Sequence, residues 1–185
     1  MNRATLTKLH LLLAAFLFPA AVMFLVTGGL YTWGIKGEYE TEKFRFQLNE
    51  PLTQDVAVLT ALVTAELGNR GVALPTGEAK IKKGGTSWKL EWTGSRRDVV
   101  LAPTRNPRVA RLQIKETTWY RNLVQLHKAK GGQLFKVYAA TLAIGLFVIL
   151  ASGYLLVWQV PKLRSLAINC TLAGLVLFLA AVFLS

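Results

Sequence analysis

Three long runs without Asp, Glu, Lys or Arg constrain this chain more than any other feature. They cover residues 9–35, 137–160 and 165–185 and are 27, 24 and 21 residues long. A helix rises about 1.5 Å per residue, so each run exceeds the roughly 20 residues that cross a ~30 Å hydrocarbon core. The chain is 52% hydrophobic with a mean hydropathy of +0.37, which excludes a single soluble domain. We therefore expect three transmembrane helices.

The first run has an alternative interpretation as a signal peptide, because Arg3 and Lys8 precede it. Its apolar length is well beyond the usual 7–15 or so residues of a signal core, and no clear A-x-A site closes it. We interpret residues 1–35 as an uncleaved anchor. Pro161, Lys162 and Arg164 separate the second helix (residues 134–160) from the third (residues 165–185), which predicts a helical hairpin with a basic turn.

The short segments indicate the orientation, because the positive-inside rule loses force in loops longer than about 60 residues. The N-terminal tail and the hairpin turn each hold two basic residues and no acid, so both are predicted to be cytoplasmic. All ten acidic residues lie between Glu38 and Glu116. The long segment and the C-terminus are then expected on the opposite side.

Residues 36–116 have the pattern of a small α+β domain. Apolar and polar residues alternate, as in half-buried strands, in residues 43–48, 79–82, 88–92, 99–101 and 110–114. Between the first two segments, Thr53 is a candidate N-cap. Val56, Leu59, Val63 and Leu67 form a helical stripe that Gly68 and Gly71 end. Gly84-Gly85 is a candidate hairpin loop. We expect one helix packed on an antiparallel sheet.

Residues 117–133 mix aromatic and aliphatic residues with Arg121, Lys128 and Lys130 at helical spacing. This pattern predicts an amphipathic helix that lies at the membrane interface and leads into the second span. The alternative is that the same helix packs on its own domain, and the sequence leaves both open.

A short motif occurs twice. Leu9-His10 opens the first span and Leu126-His127 precedes the second. The spans end in Thr27-Gly28-Gly29 and Ser152-Gly153, each within the pattern S/T-G-x-L-x-x-W. Small residues let helices approach closely, so we expect the first two helices to cross near these two small-residue segments.

In these residues the chain resembles the PepSY-associated transmembrane family. The resemblance extends over the whole length and is most specific in the two His-initiated spans and in the segment from Leu126 to Gly132. It implies a bacterial inner-membrane protein with a PepSY-like periplasmic domain, a helix on an antiparallel sheet. Larger relatives include ferric-siderophore reductases that bind haem through membrane histidines, whereas isolated PepSY domains are associated with binding or inhibiting peptidases. This chain differs from the reductases in having three spans and two histidines.

The haem alternative makes a geometric demand on His10 and His127, because bis-histidine ligation brings two imidazoles to one iron. The two residues open spans of opposite direction, so we expect them near opposite faces of the ~30 Å core. A haem would then need a ligand from a partner subunit. The simpler interpretation, which we adopt, is that both histidines are interfacial side chains.

The sequence contains none of the common motifs for catalysis, phosphate binding or metal binding. HExxH, GxSxG, phosphate-loop and CxxC motifs are absent, so no catalytic or metal-binding residues are predicted. The basic stretches at residues 80–83, 96–97 and 105–111 point to membrane lipids or an acidic partner rather than nucleic acid, given the expected location. The alternative is that they form a solvated face of the sheet, and the sequence leaves both open.

We expect a non-enzymatic accessory or regulatory subunit of a larger inner-membrane assembly, without a cofactor of its own and with other membrane-protein subunits as partners. The alternative is haem-dependent electron transfer in ferric-siderophore uptake, with haem ligands shared with a partner subunit.

Overall fold

The structure, a computed structural model, describes residues 2–85 and 87–185. These residues form, in chain order, α1 (Arg3–Thr32), β1 (Tyr39–Gln47), α2 (Val56–Asn69), β2 (Ala79–Gly84), β3 (Ser87–Trp92), β4 (Arg97–Pro103), β5 (Val109–Thr117), α3 (Trp119–His127), α4 (Gly132–Trp158) and α5 (Pro161–Leu184). Two compact units divide the chain: a helical unit of the residues up to Val22 with Ala140–Ser185, and a second unit, Met23–Ala139, that contains the sheet.

Helices α1, α4 and α5 are each long and apolar enough to span a membrane, with mean hydropathies of 2.4, 2.3 and 2.4 in their most apolar windows. The prediction of three long apolar helices is confirmed. The expected basic turn is shorter than predicted, because Pro161 occupies the first turn of α5. Proline suits that position, since its fixed φ is helical and its missing N–H would be unpaired there. Lys162 and Arg164 therefore lie in α5 and not in a loop.

Within the helical unit, α1 and α4 run antiparallel. His10 contacts the segment at Ser152, and Leu17, one heptad further along α1, contacts Gly145, one heptad back along α4. Leu17 and Leu142 are buried, while most other side chains of these helices are exposed. Helix α5 has no buried residue.

The second unit contains a five-stranded antiparallel sheet in the order β1-β5-β4-β3-β2. Strands β2 to β5 form a meander, and β1 pairs with β5 at the far edge. The prediction of an α+β domain with a helix on an antiparallel sheet is confirmed. Strand β2 extends through Gly84, which pairs with Ser87, so the hairpin loop begins one residue later than predicted.

Helix α2 covers one face of the sheet. Its residues Leu59, Val63 and Leu67 are fully buried in a core that includes Leu101 and Leu112. Val56 was predicted to belong to the same stripe but is 40% exposed at the first position of the helix. The N-cap is Asp55 and not the predicted Thr53, because the Asp55 carboxylate accepts hydrogen bonds from the backbone N–H groups of Ala57 and Val58. A carboxylate two residues nearer the helix reaches the unpaired N–H groups that the threonine would have had to cap.

Helix α3 packs on the sheet domain, which was one of the two alternatives for residues 117–133. Thr118 caps it by accepting a hydrogen bond from the Arg121 N–H, and Val124 and Gln125 are buried. Trp119 is 78% exposed. The helix therefore buries one face in its own domain and leaves an aromatic residue outside.

Candidate functional site

Both histidines make the same kind of contact, each in a different unit. In the second unit, His127 at the end of α3 lies against the end of α1, where its Nδ1 is 2.9 Å from the buried Thr27 Oγ1. Glycine at the next position permits this, because a Cβ on Gly28 would stand 3.1 Å from His127 Cε1. The Phe24 ring packs 5.0 Å from the imidazole, centroid to centroid.

The helical unit contains the matching arrangement. The His10 Nδ1 lies 2.9 Å from Ser152 Oγ, and a Cβ on Gly153 would lie 3.5 Å from His10 Cε1. Each contact thus joins the histidine of one Leu-His segment to the Ser/Thr-Gly pair that ends the other helix. We call these contacts the His–hydroxyl pairs: His10–Ser152 and His127–Thr27.

The structure shows which side chains lie against the small residues of the repeated motif. The first two helices were expected to cross near the two small-residue segments. The side chain that lies against Gly28 is His127 of α3, and the side chain that lies against Gly153 is His10 of α1. A Cβ on Gly29 would have nothing within 4 Å. The motif predicted close approach, and the structure shows that an imidazole occupies the space that the absent side chains leave.

The hydroxyl groups determine which nitrogen of each neutral imidazole carries the proton. Thr27 Oγ1 lies 2.6 Å from the carbonyl oxygen of Met23, and Ser152 Oγ lies 3.0 Å from that of Ile149. A carbonyl oxygen only accepts, so each hydroxyl donates its hydrogen there and accepts from the imidazole. With the hydroxyl hydrogens assigned in this way, a neutral imidazole donates through Nδ1–H, and its Nε2 carries a lone pair.

An Nε2 lone pair is suited to two tasks: accepting a proton and ligating a metal. Within residues 2–85 and 87–185, no hydrogen bond engages Nε2 of either histidine. Fixing Nδ1–H on a neighbouring oxygen is how proteins orient a ligating histidine. Each pair thus presents one oriented, unoccupied imidazole nitrogen.

These residues fit a haem only in part. Each unit contains one of the two histidines, so neither unit has two imidazoles for one iron. Among the residues that the structure describes, no group of three or more His, Cys, Asp or Glu side chains is arranged to hold a metal ion. Either histidine could supply one ligand to a haem iron, and within each unit the second would have to come from elsewhere.

A buried polar cluster, which sequence reasoning missed, connects α3 to the sheet. Tyr39 donates its hydroxyl hydrogen to Asp98 Oδ2 at 2.7 Å and accepts from Arg121 and Gln125 at 3.1 and 2.8 Å. Asp98 also accepts from the Gly94 N–H at 3.1 Å. Burial raises the pKa of Tyr39, which keeps its hydroxyl protonated and able to donate.

The sequence signal that could have revealed this cluster is the alternation of residues between the two faces of β4. The predicted strand began at Val99, so Asp98 was outside it, whereas the observed strand begins at Arg97. Residues adjacent in a strand point to opposite faces, so Asp98 lies on the face opposite Val99 and the α2 core.

Comparison of the chain with protein-family models, with curated proteins and with solved structures finds no match.

Proposed function

We propose that this chain is a membrane-embedded accessory or regulatory subunit that has no catalysis of its own and acts within a larger membrane assembly. Helix α5 carries the proposal. It is 24 residues long, is apolar enough to span a membrane and has no buried residue. A helix without a buried residue leaves most of its surface available to lipid and to the helices of another protein.

Asn169 adds a polar group to that exposed helix. Its side chain is exposed, eight residues after Pro161, or about 12 Å along the helix. An amide in hydrocarbon is stabilised when it hydrogen-bonds to a neighbouring helix, because lipid offers it no partner. Asn169 is therefore the residue of α5 at which we expect a partner helix.

The sheet domain is the second part of the proposal. The resemblance to PepSY-associated proteins supports a periplasmic location for it and a bacterial inner membrane for the helices. The basic N-terminal tail and the basic first turn of α5 support a cytoplasmic N-terminus and a periplasmic C-terminus. In this arrangement the domain would bind its partner outside the membrane, while α5 contacts the assembly within it.

Co-purification tests this proposal. Full-length tagged protein, expressed at native level and extracted in mild detergent, is expected to retain a partner, and Asn169→Leu is expected to weaken that retention. Thr171→Val is the matched control, since the Thr171 hydroxyl is already bonded to the Ala167 carbonyl at 2.8 Å. Recovery of a monomer without any partner from native membranes would contradict the proposal.

The Nε2 lone pairs favour a second candidate function, haem-dependent electron transfer with a ligand from a partner subunit. An absorption spectrum of the purified complex distinguishes the two functions, because bound haem gives a Soret band. If the accessory function is correct, His10→Ala and His127→Ala each leave partner recovery intact. If one histidine binds haem, its replacement abolishes haem retention and the other replacement has little effect. Loss of a single haem on both replacements would contradict the proposed topology as well.

A further inference from the structure

A cleft of about 330 Å³ lies on the sheet face opposite α2, next to the first turns of α4. Its lining includes five lysines from four parts of the chain: Lys80, Lys82, Lys115, Lys130 and Lys136. Three acidic residues, Glu78, Glu91 and Asp98, also line it. We call this site the lysine cleft.

The acids do not neutralise the lysine cleft. Glu91 is bound by Lys82 and also by Lys89 from outside the cleft, both at 2.6 Å. Glu78 pairs with Lys80 at 3.1 Å. In the described part of the chain, no carboxylate lies within salt-bridge distance of Lys115 or Lys136. Two ammonium groups in the cleft therefore lack a salt-bridge partner.

Asp98 leaves the charge of Lys130 only partly matched. Its carboxylate already accepts hydrogen bonds from Tyr39, Gly94 and Gln125, and Lys130 Nζ stays 3.6 Å away. Burial lowers the pKa of Lys130 despite the attraction of Asp98, and the neighbouring charges of Lys128 and Arg121 act in the same direction as burial. An anion bound in the cleft would offset both the burial of the Lys130 ammonium group and its repulsion by Lys128 and Arg121.

The wall that carries Lys130 is held in place. Thr76 donates its hydroxyl hydrogen to the Lys130 carbonyl at 3.0 Å. Gly132 has a φ of +80°, and a Cβ there would stand 2.9 Å from the Thr76 carbonyl oxygen, so only glycine fits this approach without strain. The segment between α3 and α4 is thereby fixed to the loop before β2.

The position of the lysine cleft identifies the source of the anion. Gly132 and Lys136 belong to the start of α4, and the uncharged run of that helix begins at Val137. If α4 spans a membrane, as the proposed function requires, Lys136 marks the depth at which the helix leaves the headgroups. The cleft then opens at the level of lipid phosphates, where each lysine contributes about 1 kcal/mol of attraction to an anionic surface.

We propose that the lysine cleft binds the phosphate group of an anionic phospholipid in the leaflet that α4 enters. Lys115, Lys130 and Lys136 would contact the phosphate as point charges. Lys80 and Lys82, already paired with carboxylates, would border it. This inference rests on the proposed membrane location and goes beyond it by naming a site and a ligand class.

Competitive lipid retention tests the inference. Detergent-purified full-length protein is incubated with equal amounts of phosphatidylglycerol and phosphatidylcholine, and the bound lipids are counted by native mass spectrometry. We expect phosphatidylglycerol to be retained preferentially. Lys115→Gln and Lys136→Gln are each expected to reduce that preference roughly fivefold.

Matched variants separate the site from general charge. The double variant Lys43→Gln/Arg108→Gln removes two positive charges, one more than either cleft variant, from exposed positions of the same domain outside the lysine cleft and is expected to keep the preference. Lys115→Arg/Lys136→Arg keeps the charge and is also expected to retain it. An equal loss in the Lys43→Gln/Arg108→Gln variant, or no loss in the cleft variants, would overturn the inference.

A soluble competitor distinguishes the two sources of phosphate. Millimolar glycerol phosphate is expected to leave phosphatidylglycerol bound, and its displacement of the lipid would overturn the assignment to a membrane lipid. Alkaline carbonate extraction is run in parallel. Protein that stays in the membrane without lipid preference refutes the lysine cleft alone, whereas release of the protein by carbonate refutes the proposed membrane location.

Discussion

Each His–hydroxyl pair needs a hydroxyl oxygen with a free lone pair, an adjacent residue small enough to leave room, and an imidazole that donates. In an apolar helix a Ser or Thr hydroxyl commonly bonds to a carbonyl one turn back, which leaves a lone pair on its oxygen. An imidazole can use that lone pair only if the adjacent residue leaves room for the ring. Ser152-Gly153 and Thr27-Gly28 meet both conditions, and His10 and His127 supply the donors.

We expect Thr27→Val to destabilise the protein by about 1–2 kcal/mol, because the isosteric change leaves the His127 Nδ1–H without its acceptor. Thermal unfolding in detergent measures the loss. Thr171→Val is the control, since that hydroxyl bonds only within its own helix. If both variants lost the same stability, the contact between Thr27 and His127 would contribute nothing.

The adjacent glycines provide a second test. Alanine is favoured over glycine in a helix by up to about 1 kcal/mol, and Gly29→Ala is expected to gain from this because nothing lies within 4 Å of its Cβ. Gly28→Ala is expected to be less stable than Gly29→Ala, because its Cβ would push against the His127 ring. Chemical denaturation of the two variants compares them directly, and equal gains would contradict the packing of His127 on Gly28.

Among the secondary-structure elements, α3 has the most consequential position, since it lies between the sheet and the start of α4. Its attachment is largely polar. The Tyr39 hydroxyl makes one donated and two accepted hydrogen bonds, which is its full capacity. The side chains of Asp98 and Gln125 complete a cluster that joins β1, β4 and α3.

Tyr39→Phe is expected to loosen α3, because it removes the hydroxyl that Arg121 and Gln125 share and leaves Asp98 with one donor fewer. We expect a cost of about 1–3 kcal/mol. Hydrogen–deuterium exchange measures it as faster exchange of α3 amides, with α2 as the internal reference. Tyr31→Phe is the control variant, and unchanged protection of α3 in Tyr39→Phe would show that the cluster does not hold the helix.

The ion pairs of β2 and β3 predict a dependence on pH. Burial of Glu91 acts to raise its pKa, but the hydrogen bonds from Lys82 and Lys89 outweigh it, and the pKa is lowered. A carboxyl group with a lowered folded pKa stabilises the fold above its unfolded pKa of about 4.3, and that stabilisation is lost as the pH falls through the folded value.

Thermal unfolding between about pH 6 and about pH 3 tests this prediction across the stated window. Wild-type protein is expected to lose more stability on acidification than Glu91→Gln, which carries no titrating group at this position. Glu50→Gln, at an exposed position, is expected to follow the wild type. Identical pH profiles for Glu91→Gln and wild type would exclude a stabilising role for the Glu91 pairs.

For the molecule as a whole, the proposed topology predicts the side of the membrane that each part occupies. Under the proposed topology the sheet domain is outside and the first turn of α5 is inside. Ser87 lies at the exposed end of β3, and Lys162 is exposed near the start of α5. A cysteine at either position is therefore expected to disturb the fold little and to be accessible to a thiol reagent.

Single cysteines placed by Ser87→Cys, Thr104→Cys and Lys162→Cys in a Cys170→Ser background test the topology. A membrane-impermeant thiol reagent is expected to label residues 87 and 104 in intact spheroplasts and to reach residue 162 only after lysis. Labelling of residue 162 in intact spheroplasts, with residues 87 and 104 protected, would reverse the model of the topology.

Local sequence patterns were enough to predict the three apolar helices, α2 and the alternating strands. Length, hydropathy and periodicity are properties of contiguous residues, so they are visible without tertiary contacts. The errors were also local, such as Thr53 in place of Asp55 as the N-cap and a strand start at Val99 in place of Arg97. At such boundaries neighbouring residues compete for the same role, and only the folded backbone selects one.

The candidate site depended on contacts that no local pattern contains. The repeated Leu-His and Ser/Thr-Gly segments were visible in the sequence, but matching motifs carry no information on which copy contacts which. Residues 10 and 152, and residues 27 and 127, are brought together by the antiparallel course of the chain. Asp98 likewise acquires its partners from β1 and α3, so its role follows from tertiary packing and not from its neighbours in sequence.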